Sequence, residues 1–393
     1  MNEGRLCYNP THFQSVLILL CYAIFILTNH HILLMTGVER EHVTIFSFQK
    51  IIAKSDHNSS IITNHHIIDK KLHPDNLEKT VHELSSFHNR HTESRFIDDV
   101  AYWLTEKLQD ICGSKGVYIN NFTHIHPLDE GDDSINSGLL QGQQQEQHEN
   151  VSLYHLKNIA CEKPGSTNNT IIISAHYDNR MEDINNSTAR ATGADDNASG
   201  VSALLEIARV ISDIDLDHSI IFVLFSGEEQ GKWGSTHYAD YIDKTDVDLD
   251  LLINLDMIGF SSQGANDFLI EYDNGNVVQD NDKFSQAIAS FIKKDIAIHY
   301  NDLNTTLGIL QNTDYLPFEE LGYTVIGFHD NGVTKNPNYH KSTDTHDTLD
   351  YEYLASVTKL TLDTILSLDE LITTDNYDYD YDYDYALLLS HLH

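Results

Sequence analysis

Short segments that are apolar along their whole length alternate with helical patterns in the central part of the chain. The apolar segments are residues 170–175, 220–225 and 251–255, with sequences TIIISA, IIFVLF and LLINL. A strand without alternating polar residues is buried on both faces, which is typical of parallel sheets covered by helices. The sequence therefore predicts an α/β fold, a three-layer α/β/α sandwich with a mixed, largely parallel central sheet.

Residues that can bind a metal ion follow each predicted strand. Ligands of open α/β sheets bind beyond the carboxyl ends of the strands, so we expect these side chains to meet at one site. Two further candidates lie in loops, one in the segment GADDNASG and one after a loop rich in Pro and Asn. The candidate metal ligands are His176, Asp195, Glu229, Asp256 and His340.

Two imidazoles and three carboxylates form a ligand set that suits zinc. Five ligands are too many for one catalytic zinc, but they suit two zinc ions that share a bridging carboxylate. The side chain of Glu228 diverges from that of its neighbour Glu229, so it is the candidate general base that faces the attacking water. Each acidic residue alone has an ordinary explanation, such as a solvated turn or a helix cap. Their ordered occurrence at strand ends favours a metal site.

The segments around these residues resemble the motif series of the co-catalytic zinc aminopeptidases of the MH clan. The segments are HYD, GADDNASG, FSGEEQG, INLDMIG and YHKSTDTHDTL. The resemblance implies a fold of the zinc exopeptidase type and two zinc ions per chain, bridged by Asp195. It places His176 and Asp256 at one ion, and Glu229 and His340 at the other.

The same resemblance implies further roles near the metals. Asp178 corresponds to a carboxylate that orients His176 through its second ring nitrogen. Tyr339 corresponds to a tyrosine that steadies the developing oxyanion. A cis peptide bond is expected between Asp195 and Asp196.

We expect an aminopeptidase that removes N-terminal residues from peptides, with a metal-bridged hydroxide as nucleophile and Glu228 as general base. Glutaminyl cyclase-like activity on the same fold is an alternative, and would need one zinc ion. A carboxypeptidase would need basic residues for the terminal carboxylate of its substrate. The basic candidates near the motifs are Arg180, Arg190, Lys335 and Lys341. A non-catalytic ectodomain would lack ligands, and none is missing from the motifs.

The N-terminal residues 1–38 are interpreted as a signal peptide or a signal anchor. Residues 13–28 are uncharged and mostly apolar, which suits a signal core and is short of the roughly 20 residues that span a bilayer. A buried helix is the remaining alternative. We therefore expect a protein that is secreted, or anchored in a membrane by this segment with its catalytic domain outside the cytoplasm.

The rest of the chain is predicted to contain one catalytic domain with polar additions. Residues 39–75 are interpreted as a polar linker, and residues 76–372 as the zinc peptidase domain, which starts with a helix over 77–112. Residues 128–150 are predicted to be an exposed insertion, and residues 373–393 an acidic Asp/Tyr tail.

Charge and cysteine content limit the partners and the compartment. The chain has 24 Lys and Arg against 60 Asp and Glu, a net charge of −36, which excludes nucleic acid and argues against binding to anionic lipid surfaces. Cys112 and Cys161 either pair outside the cell or remain as two buried thiols. Six sequons agree with a secreted glycoprotein; they begin at Asn58, Asn121, Asn150, Asn168, Asn185 and Asn304. The oligomeric state is not indicated.

Overall fold

The computed structural model describes residues 58–127 and 151–373, except residues 263, 276, 279, 280 and 332–334. Within these ranges eight strands form one sheet: β1 Val117–Pro127, β2 Val151–Lys163, β3 Asn169–His176, β4 Ser219–Phe225, β5 Asp248–Leu255, β6 Asp267–Tyr272, β7 Asn304–Ile309 and β8 Val325–His329. Their order across the sheet is β1-β2-β4-β3-β5-β8-β6-β7. The central pairs β4–β3, β3–β5 and β5–β8 are parallel, while β1–β2, β2–β4 and β6–β8 are antiparallel. The predicted mixed, largely parallel sheet is confirmed.

Helices cover both faces of the sheet. In the described ranges they are α1 Asn58–Lys71, α2 Pro74–Ser86, α3 Ile97–Cys112, α4 Gly200–Ile211, α5 Trp233–Asp243, α6 Asp282–Phe291, the short α7 Leu316–Glu319 and α8 Tyr351–Thr373. After their first residue, β3, β4 and β5 are buried at every position, so neither face of the central sheet is exposed to water. On one face, Tyr238 of α5 and Phe318 of α7 pack with sheet residues such as Ile172 and Leu252. This layering agrees with the predicted sandwich.

The helix expected over residues 77–112 is two helices, α2 and α3. The polar loop between them turns inward instead of continuing the helix. Asn89 donates hydrogen bonds to the carbonyl oxygens of Ser187 and Ala189, 3.0 and 2.7 Å away. The buried Arg90 donates to the carbonyl oxygens of Thr192 and Gly193 at 2.6 and 2.7 Å. These contacts fix the loop that precedes the GADDNASG segment.

A helix lies in the segment that was predicted to be a polar linker. In α1, Ile68 is buried, and His65 Nε2 lies 3.3 Å from Asp363 Oδ2 of α8. Part of the expected linker therefore packs against α8, within the predicted domain 76–372. The predicted signal segment 1–38, the insertion 128–150 and the tail from residue 374 onward lie outside the described residues. In the part of the chain that is described, no helix has both the length and the apolar character needed to cross a membrane.

The β1–β2 hairpin projects past the carboxyl edge of the sheet. Ile159 of β2 pairs with Leu224, one residue before β4 ends. The residues of β2 that precede Ile159 therefore extend beyond the end of β4. At 3.3–3.4 Å per residue, this extension is about 25 Å long. The Trp233 ring stacks on His124 of the hairpin with ring centroids 3.7 Å apart. The hairpin therefore stands beside the edge at which the predicted ligands lie.

Cys112 and Cys161 form a disulfide, which joins the end of α3 to β2 with Cα atoms 6.4 Å apart. The sequence left the pairing of these residues open.

The bridge closes a loop with a sequence separation of 49, so the double variant Cys112→Ala/Cys161→Ala should lose about 4 kcal/mol of unfolding free energy. The measurement is urea unfolding of the variant and of the reduced wild-type protein, each compared with the oxidised wild-type protein. Equal stability of the oxidised protein and the variant would contradict the expectation.

A buried charged triad lies at the amino end of β4, opposite the predicted site. His218 is fully buried, with Nδ1 3.0 Å from Asp369 Oδ1 and Nε2 3.4 Å from Asp250 Oδ2. Burial alone would lower the pKa of His218, but hydrogen bonding and attraction from the two carboxylates raise it to about 9. The imidazole is therefore charged at neutral pH.

This triad makes stability depend on pH. Because the pKa of His218 is higher in the folded chain than its ordinary 6.5, its stabilisation is complete below pH 6.5 and is lost as the pH rises through about 9. The loss should be about 3 kcal/mol of unfolding free energy. We expect His218→Gln to flatten this part of the stability profile, measured by urea unfolding with chelator present. The control His155→Gln, at an exposed histidine, should keep the wild-type slope.

Candidate metal centre

Two adjacent groups of side chains at the carboxyl edge of the sheet could each hold a metal ion. Within each group, one ligand atom from every residue lies within 4.8 Å of the others. The groups are His176, Asp196 and Asp256, and Asp196, Glu229 and His340. The structure thus brings together four of the five predicted ligands, all except Asp195.

Asp196 belongs to both groups and faces a different histidine with each oxygen. Its Oδ1 lies 3.3 Å from His176 Nε2, and its Oδ2 lies 3.0 Å from His340 Nε2. Burial alone would raise the pKa of Asp196, but the two imidazoles lower it, so the carboxylate is ionised. A charged carboxylate with its two oxygens divided in this way has the geometry that bridges two cations.

The remaining carboxylates complete the two groups from different strands. Asp256, directly after β5, places Oδ1 3.2 Å from His176 Nε2 at the end of β3. Glu229, in the turn after β4, places Oε2 3.1 Å from His340 Nε2. Because β3, β4 and β5 are parallel, their carboxyl ends meet at one edge of the sheet.

Asp195 does not point into either group, which corrects the prediction that it bridges the metals. Its carboxyl group accepts hydrogen bonds from the Gly259 N–H at 2.9 Å and from Asn336 Nδ2 at 2.8 Å. Burial and the neighbouring Asp344 raise the pKa of Asp195 to about 8. Adjacent side chains diverge, and here the second of the two aspartates faces the histidines.

Several contacts fix the orientation of this pair. Asp344 accepts hydrogen bonds from the N–H groups of Asp195 and Asp196, at 2.9 and 3.2 Å. The buried Asn197 donates from Nδ2 to the Leu255 carbonyl oxygen at 2.8 Å. The cis peptide bond lies between Asp196 and Asn197, one residue later than predicted.

Asp178 holds the turn that carries Glu228 and Glu229. Its Oδ1 accepts hydrogen bonds from the N–H groups of Gly227 at 2.8 Å and Glu228 at 3.2 Å. Its Oδ2 accepts from the N–H of Glu229 at 3.1 Å. His176 Nδ1 lies 3.7 Å from Asp178 Oδ1 and 3.2 Å from the Asp178 carbonyl oxygen. The second ring nitrogen of His176 thus lies closer to the Asp178 carbonyl oxygen than to the carboxylate, while the carboxylate positions the two glutamates.

Gly227 is required where the turn begins. Its φ of 82° lies in the left-handed region, and a Cβ there would meet Trp233 Cβ at 3.2 Å. A larger residue would push the turn and its glutamates away from the sheet.

Glu228 lies at the site without joining either ligand group. Burial raises the pKa of Glu228 well above its usual range, His176 opposes this rise, and the carboxylates of Asp256 and Asp314 add to it. A carboxylate with a raised pKa is a better proton acceptor than an exposed glutamate. This environment is consistent with the predicted role as general base.

Tyr339 stands next to His340 and stacks on it, with ring centroids 3.7 Å apart. Burial raises the pKa of Tyr339, and the negative charges of Asp196 and Glu229 raise it further. The phenol therefore stays protonated and can donate a hydrogen bond, as the predicted oxyanion role requires.

Further polar residues surround the ligands; the sequence analysis named Arg180 only as a basic candidate for a carboxypeptidase, and it assigned no role to Thr313 and Asp314. Thr313 donates a hydrogen bond from Oγ1 to Asp256 Oδ2. Burial raises the pKa of the adjacent Asp314 to about 7. Arg180 donates from Nε to Glu229 Oε2 at 2.9 Å. No signal in the sequence pointed to Asp344, which accepts hydrogen bonds from the N–H groups of Asp195 and Asp196.

The donor atoms fit a metal ion. Glu229 Oε1 is buried, and no hydrogen-bond partner for it is found in the described ranges. Buried polar atoms are normally paired, so a cation at this point would satisfy it. Imidazole nitrogen and carboxylate oxygen are donors that suit zinc.

Comparison with known proteins identifies the family. Residues 158–365 match the sequence profile of peptidase family M28, which is more than half of the 393 residues. The chain therefore belongs to peptidase family M28. All the ligand-group residues described above lie inside the matched segment.

Curated relatives match this M28 chain over different lengths. A probable zinc metalloprotease of Pyrenophora teres f. teres is 28% identical over 196 residues, which are 48% of this chain and 37% of that protein. Aminopeptidase YwaD of Bacillus subtilis is 31% identical over 159 residues, 40% of this chain and 31% of that protein. A probable leucine aminopeptidase of Trichophyton verrucosum is 27% identical over 329 residues, 80% and 77% of the two chains. The chain thus spans only about a third of the length of the first two relatives.

Solved structures share the fold of this M28 chain. LapB from Legionella pneumophila matches with a TM-score of 0.60 and 21% identity, over 80% of this chain and 76% of that one. The aminopeptidase from Aneurinibacillus sp. strain AM-1 gives a TM-score of 0.56 and 19% identity, over 76% and 95%. A glutaminyl cyclase from Bacteroides thetaiotaomicron gives 0.58 and 21%, over 75% and 98%. At these identities the likeness shows the fold, which both peptidases and cyclases use.

Proposed function

We propose that this protein is a zinc-dependent aminopeptidase with two zinc ions per chain. The observation that carries the proposal is the position of Asp196, which is shared by two groups of ligand atoms. His176, Asp196 and Asp256 would hold one ion, and Asp196, Glu229 and His340 the other. When bound, zinc lowers the pKa of a water molecule and polarises a peptide carbonyl.

The residues around the ligands supply the remaining steps. Glu228 accepts the proton of the attacking water and then gives it to the leaving amine, which needs a carboxylate of raised basicity. Tyr339 donates a hydrogen bond to the oxygen on which negative charge develops. The acidic surroundings of the site attract the free ammonium group of a peptide N-terminus.

The test is a metal count followed by a screen of aminoacyl p-nitroanilides. The proposal expects two zinc ions per chain and release of nitroaniline from at least one substrate. One zinc per chain with release of ammonia from N-terminal glutamine would instead indicate a glutaminyl cyclase. Two zinc ions without activity on any nitroanilide would indicate a carboxypeptidase or another amidase.

Removal of the metal should abolish hydrolysis. We expect dialysis against a chelator to reduce activity to background and to lower the melting temperature, because metal binding stabilises only the folded chain. Zinc should restore both properties, while magnesium, which prefers octahedral oxygen ligands, should not. Full activity after complete loss of zinc would contradict a metal-dependent mechanism.

We further propose that the protein is exported and glycosylated. The Cys112–Cys161 disulfide supports an oxidising compartment. The sequon asparagines Asn121, Asn168 and Asn304 are exposed, whereas Asn197 in the ligand-bearing segment is fully buried. Expression in a glycosylating host should give a mass decrease on deglycosylation, and mass spectrometry should find no glycan on Asn197. Absence of any glycan from the exported protein would contradict the proposal.

A further inference from the structure

Arg180 lies directly beside the second ligand group. It is located in the loop after β3, and its Nε donates a hydrogen bond to Glu229 Oε2 at 2.9 Å. Nη1 donates to the Met181 carbonyl oxygen at 3.1 Å. The Arg180 side chain remains 21% exposed, whereas that of Glu229 is only 4% exposed. The guanidinium therefore lies between the buried ligands and the solvent.

The contacts of Arg180 leave part of the guanidinium unused. An arginine carries five N–H donors in a planar fork, and the two hydrogen bonds above use only two of them. Among the residues that the structure describes, none accepts a hydrogen bond from Nη2. Such a fork matches the two oxygens of a carboxylate, and this pairing is stronger than a neutral hydrogen bond.

A second basic residue, next to the ligand His340 in sequence, is already engaged. Lys341, which follows the ligand His340, donates from Nζ to the Pro337 carbonyl oxygen at 2.8 Å and lies 3.8 Å from Glu182. Acidic residues dominate the chain as a whole, with 60 Asp and Glu against 24 Lys and Arg. A partly exposed arginine with unused N–H donors beside the ligand atoms is therefore unusual in this acidic chain. A neutral substrate would offer these donors no charged partner.

We propose that Arg180 binds a carboxylate of the substrate, so that the site selects peptides with an acidic group within one residue of the scissile bond. This inference rests on the proposed peptidase function and names its substrate class. The carboxylate has two sources: the side chain of an N-terminal Asp or Glu, or the free C-terminus of a dipeptide. Arg180 is a specificity-determining residue in this proposal, and Glu228 keeps the proton transfer.

A purely structural role for Arg180 makes a different prediction. If the guanidinium only neutralises Glu229, its removal should weaken metal binding and slow all substrates equally. If it binds a substrate carboxylate, its removal should slow acidic substrates selectively. The ratio of kcat/KM between matched substrates separates the two roles.

The experiment compares the zinc-loaded wild-type protein with Arg180→Gln and the control Arg190→Gln. Arg190 is a cation in the same loop, and its guanidinium donates instead to the carbonyl oxygens of Phe87 and Ser85. The first substrate pair is the p-nitroanilides of glutamate and glutamine, and the second is Leu-Gly and Leu-Gly-amide. Zinc content is measured for each variant.

We expect the wild-type protein to favour the carboxylate member of at least one pair. In Arg180→Gln this preference should fall by about 10- to 100-fold, the usual effect of losing a hydrogen bond to a charged group. The zinc content of both variants should equal that of the wild-type protein. Arg190→Gln should also keep the wild-type preference between the two substrates of each pair. The first pair identifies a side-chain carboxylate, and the second a C-terminal one. Equal losses for both members of each pair, or no wild-type preference, would overturn the proposal.

A binding measurement separates this proposal from the proposed function. Calorimetric titration of the zinc-loaded protein with free glutamate and with glutamine needs no turnover. Tighter binding of glutamate to the wild-type protein than to Arg180→Gln supports the role of Arg180, even if no nitroanilide is cleaved. Equal affinities for glutamate and glutamine would exclude a side-chain carboxylate. If the protein also shows no preference for Leu-Gly over Leu-Gly-amide while it cleaves neutral nitroanilides, the inference is overturned and the peptidase function stays intact.

Discussion

Glu228→Gln is expected to lower kcat by about 10²- to 10⁴-fold, the contribution of a positioned general base. Glutamine keeps the shape of the side chain but cannot accept the proton of the attacking water. Because Glu228 belongs to neither ligand group, the variant should retain the zinc content of the wild-type protein. The measurement is steady-state kinetics on the best nitroanilide, together with a metal count.

The matched control for this variant is Glu320→Gln, at an exposed glutamate after α7. It should keep wild-type kcat and zinc content. Near-normal hydrolysis by Glu228→Gln would eliminate this residue as the base. Loss of zinc from Glu228→Gln would instead make it a ligand.

Asp196→Asn is expected to remove zinc from the protein. The amide that replaces the carboxylate lacks the negative charge and one of the two acceptor oxygens that face His176 and His340. Loss of a residue that only supports a ligand costs 10- to 100-fold in metal affinity, so loss of a shared ligand should cost more than about 100-fold. The measurement is zinc per chain after dialysis, with hydrolysis falling in parallel.

Asp195→Asn is the control that tests the choice between the two aspartates. Because the pKa of Asp195 is raised to about 8, an amide replaces a carboxyl group that is largely neutral near pH 7. The variant should therefore retain zinc, at some cost in stability from altered contacts with Gly259 and Asn336. If Asp195→Asn loses zinc and Asp196→Asn keeps it, the assignment made from the structure is wrong.

The central strands were predictable because their sequences allow few alternatives. The apolar run at 220–225 corresponds to Ser219–Phe225, and that at 170–175 to Asn169–His176. In contrast, β7 (Asn304–Ile309) lies at the edge of the sheet and shows no continuous apolar run. Its position depends on pairing with β6, which is a long-range contact that local sequence does not encode.

The site was predictable in its residue types and only partly in its geometry. His176 is the last residue of the buried strand β3 and Asp256 directly follows β5, so the topology of the sheet brings them together. The choice between Asp195 and Asp196 depends on the hydrogen bonds that their N–H groups donate to Asp344, which lies about 150 residues later in the chain. No spacing rule determines which of two neighbouring side chains turns toward a partner at that distance.

Asp178 couples the positions of Glu228 and Glu229, to which we assign different chemical roles. One carboxylate receives the backbone N–H groups of both Glu228 and Glu229, so a displacement of that carboxylate would move both glutamates together. A substitution that moves the proposed base Glu228 through this carboxylate would also move the proposed metal ligand Glu229. Substitutions that change specificity without moving these glutamates are therefore easier to obtain in the surrounding loops, where Arg180 lies, than in the turn itself.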